Sequence, residues 1–154
     1  MTRNMNQPLR VLVVGMTNTA GGVENFLMAY CGRIDPKRVR FDFLTRYENA
    51  AYPAGRNAIG RTFVIPLRSE GPAKYYRAIR AFFDQHAGEY DVIWDNECMF
   101  NDMTPLKLAA EYGIPVRIAH SHNPQNSDPS LAGKGRGALH RAQRRSLARY
   151  ANVL

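Results

Sequence analysis

A glycine-rich loop with the composition of an anion site follows the first apolar segment of the sequence. Leu9–Gly15 is rich in valine and leucine and predicts a buried strand, and Gly21 and Gly22 open the helical pattern that comes next. Glycines here let the backbone present its amides to an anion at a helix N-terminus. The loop has no GxGxxG fingerprint, and Val23 stands where a P-loop requires lysine. An anion or sugar site is therefore one interpretation, and a plain tight turn is the other.

Two histidines form the second candidate site. His120 and His122 lie at the end of the apolar segment Pro115–His120, and strand geometry places both on the same side. Histidine at such a position contacts sugar hydroxyls, acts as an acid or base, or binds a metal. We favour ligand contact over a merely polar strand end, and we expect no metal, because a zinc site requires a third ligand from Cys31, Cys98, His140 or a carboxylate.

Short apolar segments alternate with helical patterns along the whole chain, which predicts an α/β, Rossmann-like doubly wound parallel sheet. The predicted strands are Leu9–Val14, Val39–Thr45, Thr62–Pro66, Asp91–Trp94 and Val116–His120. Residues 1–8 are expected to be a flexible N-terminus and residues 9–154 one domain. Ligands of such sheets bind at the carboxyl ends of the strands. The glycine loop and both histidines follow such ends.

Helical spacing predicts which side chains face the core. The predicted core-facing residues are Val23, Phe26, Leu27 and Tyr30 in the first helix, and Tyr76, Ile79, Phe82 and Phe83 in the helix after the third strand. A polar loop is predicted over Asn123–Gly137. A last helix is predicted over Ala138–Tyr150, with Leu139, Ala142, Leu147 and Tyr150 toward the core.

The 154 residues are 45% hydrophobic and 22% charged, which fits one globular domain and excludes disorder. No apolar stretch is long enough to span a membrane. Two cysteines without a CxxC motif favour a reducing, cytoplasmic location. The net charge of +8 is uneven, because the segment from Pro129 to Leu154 holds six basic residues and no acid. That segment predicts an anionic partner.

The order of these segments resembles the N-terminal, acceptor-side domain of the family 4 retaining glycosyltransferases of the GT-B fold, most closely the bacterial capsular or exopolysaccharide type. The resemblance covers about Leu9 to Leu154. Its segments are VLVVG, GGVENFLM, FDFLT, FVIPLRS, DVIWDN and GIPVRIAHSHN. The combination of GGxE with RIAHSHN in this order is the most specific part.

The resemblance implies a metal-independent, cofactor-free enzyme that transfers a sugar from a nucleotide-sugar to a polysaccharide or lipid-linked acceptor. It implies catalytic roles for His120 or His122 and substrate contacts for Gly21, Gly22, Asn96 and Asn123. Such enzymes carry an E-x7-E pair in a second, nucleotide-sugar-binding domain, which is absent from this chain. Glu89 and Glu97 match that spacing but flank the fourth strand, so the match is discarded. Tyr150–Leu154 is interpreted as the start of a further strand, and the domain alone is expected to be inactive.

The basic C-terminal segment indicates an anionic partner but does not identify it. Arg141, Arg144 and Arg145 are predicted to contact anionic head groups at the inner face of the cytoplasmic membrane, and the competing roles are the acceptor's phosphates or the missing domain. A nucleic-acid-binding role for this helix is disfavoured, since no recognition motif is present. The alternative function is a stand-alone α/β module that binds a phosphorylated ligand without catalysis. The reading frame beyond Leu154 distinguishes a two-domain enzyme from such a module.

Overall fold

A computed structural model of the chain describes residues 7–97, 101–122, 130, 135, 137, 138, 142 and 146–154. Its five strands form one parallel sheet with the order β3-β2-β1-β4-β5. The strands are β1 (Leu9–Val14), β2 (Val39–Thr45), β3 (Thr62–Val64), β4 (Val92–Glu97) and β5 (Val116–Ser121). The α-helices are α1 (Gly22–Cys31), α2 (Pro53–Ile59), α3 (Pro72–His86) and α4 (Thr104–Glu111), with short 3₁₀ turns at Arg68–Glu70 and Ala87–Glu89.

The sheet has a hydrophobic core on each face. Alternate residues of β1 point in opposite directions, so Leu12 and Val14 pack with α3 and α4, whereas Val11 and Val13 pack with α1. The strand order reverses between β1 and β4, and the loops that follow these two strands therefore meet. The predicted doubly wound α/β fold is confirmed.

Three strands differ in length from the sequence prediction, and β5 differs only by its last residue, Ser121. β3 ends at Val64 instead of Pro66, because it pairs only with the last three residues of β2 and lies at the sheet edge. β4 continues past Trp94 to Glu97, because β5 accompanies it as far as the pair Glu97 and Ser121. This extension brings polar residues of β4 into the sheet itself.

Some predicted core positions are wrong. Tyr75 of α3 is fully buried, whereas the predicted Tyr76 is 44% exposed. In α3, which begins at Pro72, Tyr75 and Ile79 lie on the buried face. In α1, Phe26 is 38% and Tyr30 50% exposed. Their rings lie against Trp94, but their outer faces remain open.

The C-terminal segment is described in part. Residues 146–150 are helical, as predicted, and Leu147 is buried, but the predicted core residue Ala142 is exposed. Residues 135 and 137 are helical where a loop was predicted. Val153 forms an isolated parallel bridge with Ile118 of β5, and the start of a further strand at Tyr150–Leu154 stays a prediction. Among the helices that the structure describes, none has the length and apolarity needed to cross a bilayer.

A charged network holds the amino-terminal edge of the sheet together. Asp42 of β2 is buried and accepts five hydrogen bonds, from Arg10, from the Tyr90 hydroxyl, and from the backbone and side chain of Arg61. Glu89 accepts a further bond from Arg61 and pairs with Arg10. Burial by itself raises the pKa of Asp42, but the hydrogen bonds from Arg61, Arg10 and Tyr90 outweigh it and lower the pKa.

The network predicts that Asp42→Asn destabilises the fold. An amide replaces one carboxylate oxygen with a donor that faces Arg61, so we expect a loss of about 2 kcal/mol at neutral pH. Because the folded-state pKa of Asp42 is lowered, its contribution is complete above the unfolded value of about 3.9 and is lost as the pH falls through the folded value. Urea unfolding across this range measures the difference. The control is Asp35→Asn, at an exposed carboxylate bonded to the Lys37 amide. An equal loss in both variants would contradict the network's role.

Candidate functional site

The loop after β1 is pressed against the end of β4. Gly15 has a φ of +104°, and a Cβ on it would lie 1.9 Å from the backbone oxygen of Asn96. Glycine is required here by both conformation and space. The close approach fixes the start of the loop beside Asn96, at the point where the strand order reverses.

Glu24 holds the rest of this loop. Its carboxylate is buried at the start of α1 and accepts bonds from the Thr17 amide at 2.9 Å, the Thr17 hydroxyl at 2.8 Å and the Gly21 amide at 3.2 Å. Burial by itself raises the pKa of Glu24, but the hydrogen bonds from Thr17 and Gly21 hold it below its usual range. The acid of the GGxE segment is thus a structural part of the loop in this arrangement.

His122 and Asn96 form a hydrogen-bonded pair on the α1 side of the sheet. The Asn96 amide nitrogen donates to the Trp94 carbonyl, which leaves Oδ1 facing His122 Nε2 at 3.1 Å. An amide oxygen only accepts, so this orientation places the imidazole proton on Nε2 and leaves Nδ1 as an acceptor. Burial and then the neighbouring His120 lower the pKa of His122, which favours the neutral ring.

His120 occupies a different environment from His122. Its ring stacks on Trp94 with 6.0 Å between centroids and 4° between planes. Phe26 contacts both imidazoles edge-on, at 5.5 Å from His120 and 5.6 Å from His122. The aromatic contacts fix the His120 ring, whereas His122 is held by a polar contact.

The structure brings most of the sequence-predicted residues to one edge of the sheet. Phe26 of α1 contacts both histidines, and the carboxylate of Glu24 interacts electrostatically with His122. The glycine loop before α1 therefore adjoins the end of β5. A Cβ on Gly22 would meet no described atom within 4 Å, so the space beside it is open. Asn123, Arg141, Arg144 and Arg145 lie outside the described residues. Glu89 lies in the Asp42 network and Glu97 at the opposite end of β4, so they form no common site.

Comparison with known proteins gives one curated relative. The chain is 31% identical over 118 residues to "Putative glycosyltransferase EpsF" of Bacillus subtilis (strain 168). The similarity supports a glycosyltransferase-like domain. The alignment covers 74% of this chain and 30% of that protein, so the chain spans about a third of the relative's length. No family model matches the chain.

Sequence reasoning missed a charged cluster on the other face of the same edge. Arg46, which follows β2, lies 3.3 Å from Glu97 and 3.7 Å from Asp102, and Asp102 accepts a 2.6 Å bond from the Tyr75 hydroxyl. Asp95 is fully buried in β4, beneath this cluster. The signal in the sequence was the acid inside the apolar segment DVIWD, since buried carboxylates are rare without a partner.

We expect Glu24→Gln to loosen the glycine loop without unfolding the domain. The glutamine amide turns one acceptor into a donor that faces a backbone N–H, so the Thr17 and Gly21 amides should exchange with solvent roughly tenfold faster or more. Hydrogen exchange followed by NMR measures this directly. Glu70→Gln, at an exposed carboxylate, is the control and should leave both amides unchanged. Unchanged exchange in Glu24→Gln would show that the loop is held by other contacts.

Proposed function

We propose that this chain is the acceptor-side domain of a glycosyltransferase that uses a nucleotide-sugar donor. The carrying observation is that Asn96, His122 and the loop before α1 adjoin at the carboxyl edge of a parallel sheet, in a chain similar to a glycosyltransferase. Ligands of doubly wound sheets bind at this edge, where the strand order reverses. The retaining GT-B type, the metal-independent chemistry and the polysaccharide or lipid-linked acceptor are further parts of the proposal.

His122 would contact a sugar hydroxyl. Its Nε2–H is engaged by Asn96, so Nδ1 is the atom that would accept a hydrogen bond from a ligand hydroxyl. The neutral ring that burial favours is the form with this acceptor. His120 would support the site through its stacking on Trp94, so in this proposal His122 is the histidine that contacts the sugar.

Only some of the backbone amides at the start of α1 would be available to bind the donor's phosphates. The Gly21 amide already donates to Glu24, and that carboxylate repels a second anion at the same spot. Gly22 is exposed with open space beside it, so its amide is the better candidate for a phosphate contact. In this proposal the domain positions the sugars, and groups from the second domain stabilise the departing diphosphate.

A binding module without catalysis remains the second candidate. It would need an anion site complete within this chain, whereas the enzyme needs a second domain to supply most donor contacts. The reading frame past Leu154 separates the two: continuation into a second α/β half with an E-x7-E pair supports the enzyme, and a stop codon supports the module.

The proposal predicts that His122→Ala lowers kcat/KM roughly 10- to 100-fold in the protein that carries this domain, because one transition-state contact is lost. Turnover is followed as nucleoside diphosphate released from a panel of nucleotide-sugars. The wild-type profile should lose activity below the ordinary histidine pKa of about 6.5, and the variant should lack that limb. His86→Ala is the matched control, since His86 bonds to Glu89 in the network at the amino-terminal edge. Wild-type turnover in His122→Ala would refute the sugar contact.

A further inference from the structure

A cavity of about 140 Å³ opens at the carboxyl ends of β1, β2 and β4. Its floor is the loop that starts at Gly15, and its polar wall includes Thr17, Thr45, Arg46 and Glu97. The Thr45 hydroxyl donates to the Met16 carbonyl at 3.1 Å, which ties the floor to the wall. The site is therefore built on strand ends rather than on free loops.

The polar groups around this cavity are not satisfied by one another. Among the described residues, Arg46 Nη2 and Glu97 Oε1 are buried without a hydrogen bond, because their 3.3 Å ion pair lacks hydrogen-bond geometry. Neither carboxylate oxygen of the fully buried Asp95 has a partner within the described part of the chain. Buried polar groups in native proteins normally have partners, so an unmet donor on Arg46 and an unmet acceptor on Glu97 in one cavity wall indicate a ligand.

Asp95 does not line the cavity itself but belongs to the strand that ends at its wall. It is the register partner of Val14, which lines the cavity wall, and alternation along β4 places it on the same face as Glu97. Its charge interacts with Glu97, Arg46 and Asp102. Burial raises the pKa of Asp95 and of Glu97, and the charge of Arg46 opposes that shift at both carboxyls.

The polar groups without a hydrogen-bond partner indicate which class of ligand would fit the cavity. On the cavity wall, Arg46 Nη2 lacks an acceptor and Glu97 Oε1 lacks a donor. A hydroxyl group both donates and accepts, and two neighbouring hydroxyls of a sugar would meet both requirements at once. A phosphate or carboxylate offers acceptors alone and would face Glu97, Asp95 and Asp102, which disfavours any anionic ligand.

We propose that this cavity is a subsite for the hydroxyl groups of a neutral sugar, with Glu97 and Arg46 as its specificity-determining residues. The inference rests on the proposed function, in which it assigns an uncharged sugar unit to the acceptor. Gly15 lines the cavity and lies against Asn96, whose side chain bonds to His122, so the cavity and the His122 site flank the same contact.

The test is a titration of the ¹⁵N-labelled chain, followed by amide shifts at neutral pH. The probes are two neutral methyl glycosides, of glucose and of galactose, with glucose 6-phosphate and inorganic phosphate as anionic comparisons. We expect the neutral glycosides to shift the amides of Gly15, Thr17 and Thr45, and the anions to leave them unchanged. This comparison uses the unaltered chain and does not depend on any variant folding.

Variants then assign the contact to the charged pair. Glu97→Gln and Arg46→Lys should each weaken glycoside binding roughly tenfold, while Glu111→Gln and Arg33→Lys, at exposed positions away from the cavity, should match the wild type. Thermal unfolding of each variant confirms that it is folded.

Three results would overturn the inference. They are the absence of shifts at the cavity up to saturating glycoside, a preference of the cavity for phosphate, and glycoside shifts confined to residues around His122 that Glu97→Gln leaves unchanged. The third result would leave the glycosyltransferase proposal standing. That proposal is tested separately by the turnover of His122→Ala.

Discussion

The close approach of Gly15 to the backbone of Asn96 is the contact on which both candidate sites depend. A side chain at Gly15 would overlap the Asn96 carbonyl, so the loop after β1 could not lie against the end of β4. Without that approach, the loop would not adjoin the Asn96–His122 pair that the β4–β5 register brings together, and the cavity would lose its floor. A single position without a Cβ thus determines the geometry on both faces of the sheet edge.

The alternation of β4 divides its last four residues between the two sites. Trp94 and Asn96 face α1 and support the histidines, whereas Asp95 and Glu97 face the charged cluster with Arg46. A slip of one residue in the pairing with β5 would exchange these sets and bury the wrong groups on each face. Val92 and Ile93, the buried apolar residues of β4 that help to set this register, therefore also determine which side chains face each candidate site.

The fold could be predicted from the sequence because short apolar segments and glycine stops are local signals, and β1, β2 and β5 were found close to their true bounds. The site could be predicted only where it follows such a strand, as with His122 and Gly21. The pairing of Asn96 with His122 fixes a tautomer that no local pattern contains. The cluster of Arg46 with Asp95 and Glu97 was missed because Arg46 lies far from both acids in the sequence and meets them only when the strand order brings β2 and β4 to either side of β1. The choice of Tyr76 over Tyr75 failed because both tyrosines lie at helical spacing from Ile79, and only the packing of α3 in the core distinguishes them.

The buried carboxyl groups at the two edges of the sheet differ in their hydrogen bonding and in the direction of their pKa shifts. At the amino-terminal edge, Asp42 has donors from three side chains and one backbone amide, and its lowered pKa reflects a carboxylate that folding stabilises. At the carboxyl edge, burial raises the pKa of Asp95, and its oxygens have no partner among the described residues. An uncompensated buried carboxyl costs stability, and a domain retains one only where its other contacts offset the loss. The Asp42 network and the two hydrophobic cores provide such contacts. Because the cost falls at the edge where this fold class binds ligands, the unsatisfied groups there are best explained as part of a binding site rather than as a defect of packing.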